Sequence, residues 1–272
     1  MLRRLNLVPF GFDPEAEGLS VSFVYWADLF HATPIVAEEY DSIVDVLSDT
    51  FPNTADLNLD LWLENMQQYF PLDDEAQYVD QPVPEKTLQS NDFLQYDRIP
   101  LPWFIKQRVM KSLLKEVHDY LFNINGIRDE IRKRVMDDLN AQDVENHIIV
   151  SHSQGTIIAY DILTGVNDCK EIQGLLTLGS PLGIDEVQDK LNHTTNNGFP
   201  KKLKGQWFNV YDPLDIVSRA DPKLANDFKM NELELITDIK EPNWGIWRHS
   251  ATKYFKGKKL RTALRLMCNR MN

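Results

Sequence analysis

This sequence of 272 residues has few cysteines and a deficit of positive charge, and each shortage excludes a class of protein. Its two cysteines, Cys169 and Cys268, show no C-x-x-C spacing. That argues against a disulfide framework or structural zinc site and favours a reducing, cytoplasmic compartment. Lysine and arginine total 29 against 41 aspartates and glutamates, and the resulting net charge of −12 argues against a nucleic-acid partner.

Long apolar runs, internal repeats and low-complexity tracts are also missing from the sequence. No segment approaches the roughly 18 consecutive apolar residues of a transmembrane helix. Residues Met1–Phe10 have a basic start, but Asn6 and Pro9 break the apolar run and no small-residue cleavage site follows. We therefore interpret them as part of the fold and not as a signal peptide. A hydrophobic content of 43% suits a globular core, and we expect residues 1–272 to form one domain.

The second half of the chain alternates apolar strands with helices or longer connections. From Val144 onward, strands are predicted at His147–Val150, Leu175–Leu178 and Gln206–Tyr211. The β-branched and aromatic stretch Ser20–Trp26 predicts an earlier strand. This alternation indicates an α/β fold with a mostly parallel central sheet that helices cover on both faces.

Between these strands the sequence predicts helices and one long irregular stretch. Residues 48–102 contain six prolines and no clear periodicity, so we expect a lid-like or irregular insertion within the domain. Residues Lys223–Ile239 indicate one or two weak elements. Besides the helix that follows Ser153 and runs to about Thr164, apolar spacing predicts helices at Pro34–Leu47, Trp103–Phe122, Gly126–Leu139 and Thr252–Met271.

The most informative segment is Ile148–Tyr160, in which an apolar strand, a tight turn at Ser153 and an amphipathic helix follow one another. A nucleophile elbow requires that order, because its strained turn raises the serine hydroxyl above the sheet edge. Gly155 supplies a small residue two positions later, and Ser151 stands where glycine is usual. The backbone N–H of Gln154 is a predicted oxyanion donor. The alternative is a strand followed by a serine helix cap.

Ser153 requires a base and an acid that orients this base before it can act as a nucleophile. Asp212 and Asp215 follow the third of the later strands, and His249 precedes the final helix. The chain order serine, acid, histidine is the order of a hydrolase triad. His152 adjoins the serine, and we expect its side chain to point away along the elbow.

On these residues the chain resembles the α/β-hydrolase superfamily, specifically the lipase- and serine-esterase-like branch of bacterial hydrolases. The resemblance covers most of the chain and is weak over residues 48–102. An aspartate just beyond a strand and two residues before a valine is similar to the acid turn of many lipases and cutinases, which favours Asp215 and leaves Asp212 as the alternative acid. The matching segments are Val21–Leu29, Val150–Tyr160, Gly179–Leu182, Asn209–Asp215 and His249–Ser250.

The sequence departs from the superfamily pattern at one place. The resemblance implies a strand that precedes the Val21 strand in the sequence and lies between the Val21 and Val150 strands in the sheet. That strand ends in a His-Gly-type loop, which supplies a second oxyanion donor. No such strand or His-Gly pair is present in this sequence. Either the protein begins upstream of Met1, or this variant has a reorganised sheet.

The resemblance implies a serine esterase or lipase-like enzyme. Ser153, His249 and Asp215 would form the catalytic triad, with the Gln154 N–H at the oxyanion, and neither a metal nor an organic cofactor is needed. The substrate would be a small-molecule or lipid ester. Two alternatives stay open: a catalytically impaired hydrolase-like module that binds ligands, and an acyltransferase that uses the same triad.

Overall fold

The computed structural model describes six stretches of the chain: residues 19–31, 114–191, 198–218, 221–230, 233–243 and 248–269. The predicted helix Pro34–Leu47 and the predicted insertion at 48–102 lie outside these residues, as does Met1–Phe10. Of the predicted helix Trp103–Phe122, residues 114–121 are described and are helical, and they form α1.

Five further helices and six strands lie within the described residues. The helices are α2 (Ile127–Ala141), α3 (Gln154–Gly165), α4 (Asp185–Leu191), α5 (Ala251–Lys256) and α6 (Lys258–Asn269). The strands are β1 (Ile148–His152), β2 (Ile172–Leu178), β3 (Leu203–Tyr211), β4 (Lys229–Met230), β5 (Leu233–Glu234) and β6 (Ile236–Lys240). None of the helices described here is long and apolar enough to cross a membrane.

Four of the strands form a parallel sheet in the order β1-β2-β3-β6. The predicted strands at His147–Val150, Leu175–Leu178 and Gln206–Tyr211 are confirmed as β1, β2 and β3. A parallel sheet flanked by helices is the α/β architecture that the alternating pattern predicts. The weak region Lys223–Ile239 contains β6, the fourth strand of this sheet, together with the short antiparallel pair β4 and β5.

Most residues of the central strands β2 and β3 are buried on both faces, which explains why these strands are apolar runs. Leu175 of β2 belongs to a core cluster with side chains of α1, α2 and α3, whereas the next residue, Leu176, packs in a cluster with α5 and α6. Both leucines are fully buried. Successive residues of a strand point to opposite faces, so one strand contributes to both helix layers.

The predicted C-terminal helix Thr252–Met271 is wrong as a single element, because the helix breaks at Gly257. This glycine has an extended conformation, with φ −62° and ψ 135°. A side chain there would place its Cβ 2.7 Å from Cδ of Glu241. The same glutamate accepts a hydrogen bond from the backbone N–H of Leu260 at 2.8 Å, so it caps the first turn of α6.

The predicted strand Ser20–Trp26 is also wrong, since this stretch has no strand pairing and no backbone hydrogen bond to β1 among the described residues. Val21 and Phe23 are about half exposed, at 49% and 53%. A cavity of about 620 Å³ is lined by this stretch, by β1 and by helices from both faces of the sheet.

The parallel arrangement brings several loops to one edge of the sheet. Ser153 follows β1, Gly179 follows β2, and Asp212 follows β3. The segment after β6 leads to Asn243, and the chain is next described at Arg248. The carboxyl ends of parallel strands are where α/β proteins place their binding and catalytic groups.

Candidate active site

Ser153 occupies the turn between β1 and α3 in a strained backbone conformation. Its φ of 54° and ψ of −128° lie in a region that residues other than glycine rarely enter. The Ser153 N–H donates to the carbonyl of Leu178 at 3.0 Å. The Ser153 carbonyl accepts the backbone N–H of Thr156 at 2.9 Å and the Thr156 hydroxyl at 2.7 Å. A strained serine held between a strand and a helix is the geometry that a nucleophile elbow requires.

Small side chains beside the serine allow Trp26 to pack against the turn. A Cβ at Gly155 would lie 3.3 Å from Cη2 of Trp26 and 3.8 Å from Cβ of Ser151. The buried Gln154 side chain accepts a hydrogen bond from Trp26 Nε1 at 3.3 Å and donates to the carbonyl of Glu116 at 2.8 Å. Gln154 is the first residue of α3, and N–H groups in a first helical turn have no acceptor within the helix. Its N–H therefore suits the predicted role at an oxyanion.

Asp215 and His249 form a buried pair. His249 Nδ1 lies 2.8 Å from Oδ2 of Asp215, and because an ionised carboxylate only accepts, Nδ1 carries the proton and donates it. Asp215 Oδ1 accepts the backbone N–H of Val217 at 2.9 Å. Burial alone would raise the pKa of Asp215, but the attraction of His249 and these hydrogen bonds hold that pKa below its ordinary value. The carboxylate therefore stays ionised and fixes the imidazole tautomer.

Tyr254 and Gly179 complete the surroundings of this pair. The Tyr254 hydroxyl donates to Asp215 Oδ2 at 2.7 Å and accepts the backbone N–H of Asp212 at 3.1 Å. Burial and the neighbouring Asp215 raise the pKa of Tyr254 well above its ordinary value, so the hydroxyl remains a donor. Gly179 has a φ of 51°, and a Cβ there would lie 2.7 Å from Asp215 Oδ2 and 3.1 Å from His249 Nδ1. Only glycine fits against the pair at this position.

Asp212, the alternative acid, has a different set of partners. Its Oδ1 accepts the backbone N–H of Leu214 at 2.9 Å, which closes the turn after β3. Its Oδ2 accepts Arg248 Nε at 2.7 Å and the backbone N–H of Asn243 at 3.0 Å. Burial raises the pKa of Asp212, and Arg248 acts in the opposite direction. Of the two candidate acids, Asp215 is therefore the one in hydrogen-bond contact with the histidine.

The His152 ring lies beside the ring of His249, the candidate base, although the two residues are far apart in the sequence. Its ring centroid is 4.5 Å from that of His249 and 5.8 Å from that of Tyr254. Burial, together with the charge that His249 can carry, lowers the pKa of His152 to about 3. His152 thus presents a neutral ring to His249 at neutral pH.

Sequence reasoning did not identify Gly179, Tyr254 or Arg248 as neighbours of the Asp215–His249 pair, and it placed His152 beside the serine without predicting its contact with the His249 ring. A signal existed for two of them. Gly179 directly follows a predicted strand, and Arg248 directly precedes the candidate base. Tyr254 had none, because its hydroxyl reaches Asp215 across 39 residues of sequence.

Comparisons with protein-family models, with curated proteins and with solved structures found no match. Within the part of the chain that the structure describes, no group of three histidine, cysteine, aspartate or glutamate side chains is arranged to hold a metal ion.

Proposed function

We propose that this chain is a serine hydrolase of carboxylic esters, similar to esterases and lipases. Ser153 is the nucleophile, His249 the general base and acid, and Asp215 the residue that orients the histidine. The Gln154 N–H binds the oxyanion. The substrate class is a small-molecule or lipid ester.

One observation carries the proposal: a strained serine and a buried aspartate–histidine pair lie at the same edge of a parallel sheet. Two contacts join these parts. The N–H of Ser153 donates to Leu178, and the next residue, Gly179, lies directly against Asp215 and His249. His152, which precedes the serine, contacts the His249 ring. Strain in a non-glycine residue is a marker of functional turns, and a serine cap that served only the helix would not need it.

The proposed reaction proceeds through an acyl-enzyme. Ser153 Oγ attacks the ester carbonyl carbon while its proton passes to Nε2 of His249, and Asp215 stabilises the imidazolium that forms. The Gln154 N–H donates to the oxyanion of the tetrahedral intermediate. The C–O bond then breaks, and the alcohol leaves with the proton from His249. Water repeats the sequence on the acyl-enzyme and releases the carboxylic acid and free Ser153.

We extend the proposal to the fold and assign the described sheet to an α/β-hydrolase architecture. The order serine, acid, histidine on loops after β1, β3 and β6 supports this assignment.

A fluorophosphonate probe tests the nucleophile directly, since it forms a covalent bond to an activated serine. We expect the full chain to be labelled and the labelled peptide to contain Ser153. The Ser153→Ala variant should lose the label, whereas Ser22→Ala, which removes an exposed hydroxyl bonded to Asp138, should keep it. Equal labelling of Ser153→Ala and the parent would refute the assignment.

Hydrolysis of a para-nitrophenyl ester separates the proposed enzyme from the two alternatives. Turnover that His249→Ala abolishes is the expected result. A folded chain that neither labels nor turns over ester would favour the impaired binding module. Transfer of the acyl group to an added alcohol, in preference to water, would favour an acyltransferase.

A further inference from the structure

Asp212 has more polar contacts than closing a turn requires. The carboxylate is fully buried, and its two oxygens accept hydrogen bonds from two backbone N–H groups and two nitrogens of Arg248. Arg248 is itself buried. Removing two charges from water is expensive, so a buried ion pair is weak evidence for stability alone. The Asp212–Arg248 ion pair is therefore better explained by the residues whose positions it fixes.

Arg248 is the residue before the candidate base, and both of its ends are fixed. Its guanidinium lies on Asp212, with Nε at 2.7 Å and Nη2 at 3.3 Å. Its carbonyl accepts Asn243 Nδ2 at 2.7 Å, and the backbone N–H of Asn243 also donates to Asp212. His249 thus extends from a segment whose side chain and carbonyl are both anchored.

Asp212 also touches the loop that carries the candidate acid. Its carbonyl accepts the backbone N–H of Asp215 at 3.0 Å. Its own N–H donates to the Tyr254 hydroxyl, which in turn donates to the Asp215 carboxylate. One residue therefore contacts both the loop of Asp215 and the segment that leads into His249.

We propose that Asp212 is a positioning residue, which acts through Arg248 to hold His249 against Asp215. The inference rests on the proposed function, because it assigns a role within that same triad. Asp212 does not touch the reacting atoms. Its effect arises because a displacement of about 1 Å in a catalytic group can reduce a rate by about 100-fold.

The test uses the double variant Asp212→Asn with Arg248→Gln, which removes both charges and leaves neither buried alone. We expect kcat for a para-nitrophenyl ester to fall by about 100-fold with KM little changed. The NMR signal of the His249 Nδ1 proton, identified by its absence in His249→Gln, should broaden or disappear. Unchanged kcat and an unchanged proton signal would overturn the proposal.

A control cluster lies within α3 itself. Asp161 is fully buried and accepts hydrogen bonds from Arg128, Arg132 and the Tyr120 hydroxyl. The triple variant Asp161→Asn with Arg128→Gln and Arg132→Gln removes the carboxylate and both guanidinium charges. It should lower the melting temperature, but kcat per folded molecule and the Nδ1 signal should stay as in the parent. An equal loss of kcat in the double and the triple variant would mean that Asp212 only stabilises the fold.

Arg248→Lys provides the second line of evidence and leaves both candidate acids intact. Lysine keeps the charge but loses the fork that bonds both oxygens of Asp212. We expect an intermediate fall in kcat, and parental kcat in this variant would overturn the proposal even if the double variant did not fold. If the parent neither labels nor hydrolyses ester, the proposed function fails, but the Nδ1 signal still decides whether Asp212 positions His249.

Discussion

Replacing His152 with asparagine should make the stability of this protein less sensitive to acid. His152 Nε2 is shielded from solvent and has no hydrogen-bond partner among the described residues. The pKa of His152 is lowered to about 3 in the folded chain, against about 6.5 for a histidine in an unfolded one. The unfolded chain therefore binds this proton first as the pH falls. The contribution of the neutral His152 ring to the free energy of unfolding is fully present above pH 6.5 and is lost progressively as the pH falls towards 3.

The size of the effect follows from the difference between the two pKa values. Each pH unit below 6.5 should lower the free energy of unfolding by about 1.4 kcal/mol, which amounts to about 2 kcal/mol at pH 5. Asparagine retains a polar atom close to the position of Nδ1 but cannot titrate. His152→Asn should therefore lack this part of the pH dependence, whatever the substitution does to stability at neutral pH.

Urea unfolding monitored by tryptophan fluorescence measures this difference, because Trp207 is fully buried in the core. Parent and variant are compared at pH 7.5, 6.5, 5.5 and 5.0, so the contributions of other titrating groups cancel. His31→Asn is a control of opposite sign, since the hydrogen bond that His31 donates to Glu116 raises the pKa of His31 and favours the folded state as the pH falls. An identical loss of stability towards pH 5 in the parent and His152→Asn would refute the reasoning.

Two further predictions concern the environment of Asp215. Tyr254→Phe removes a hydrogen bond to a charged acceptor, typically about 1.5–3 kcal/mol, so kcat/KM for an ester should fall about 10- to 100-fold. The same change raises the pKa of Asp215, so a pH–rate profile should lose activity at a higher pH on its acid side; an unchanged profile would contradict this role. Gly179→Ala places a Cβ 2.7 Å from Asp215 Oδ2 and should lower the melting temperature by more than Gly126→Ala, where φ is also positive but the space is open. Equal losses in calorimetry would show that the contact at position 179 is not tight.

Much of the sheet could be predicted from sequence, because its strands are apolar on both faces. β2 and β3 are such runs, and parallel strands between two helix layers must be. β6 was harder, since Asp238 interrupts its apolar character. That carboxylate accepts the backbone N–H groups of Leu224 and Ala225 and the Asn209 side chain, a role that depends on tertiary structure. The prediction of a strand at Ser20–Trp26 was wrong because strand propensity reflects the side chains of a segment. It does not tell whether a partner strand is present.

The candidate site could be predicted as far as chain order and local motif allow. The chain order and the local motif predicted Ser153 as the nucleophile and His249 as the base, and they left Asp215 and Asp212 as the two candidate acids. The choice between Asp215 and Asp212 depends on which carboxylate reaches the imidazole, and the two are only three residues apart. Tyr254 contacts both aspartates from a helix far along the chain, and no spacing rule indicates such a contact.

The backbone of Ser153 is a point at which this chain gives up stability. A non-glycine residue in such a region costs about 1–3 kcal/mol, and a typical domain is stable by only about 5–15 kcal/mol. The hydrogen bonds to Leu178 and Thr156 offset part of that cost. Selection for stability alone would favour glycine here, which adopts this conformation without strain. In the proposed mechanism, the Ser153 hydroxyl is the property that glycine would not supply.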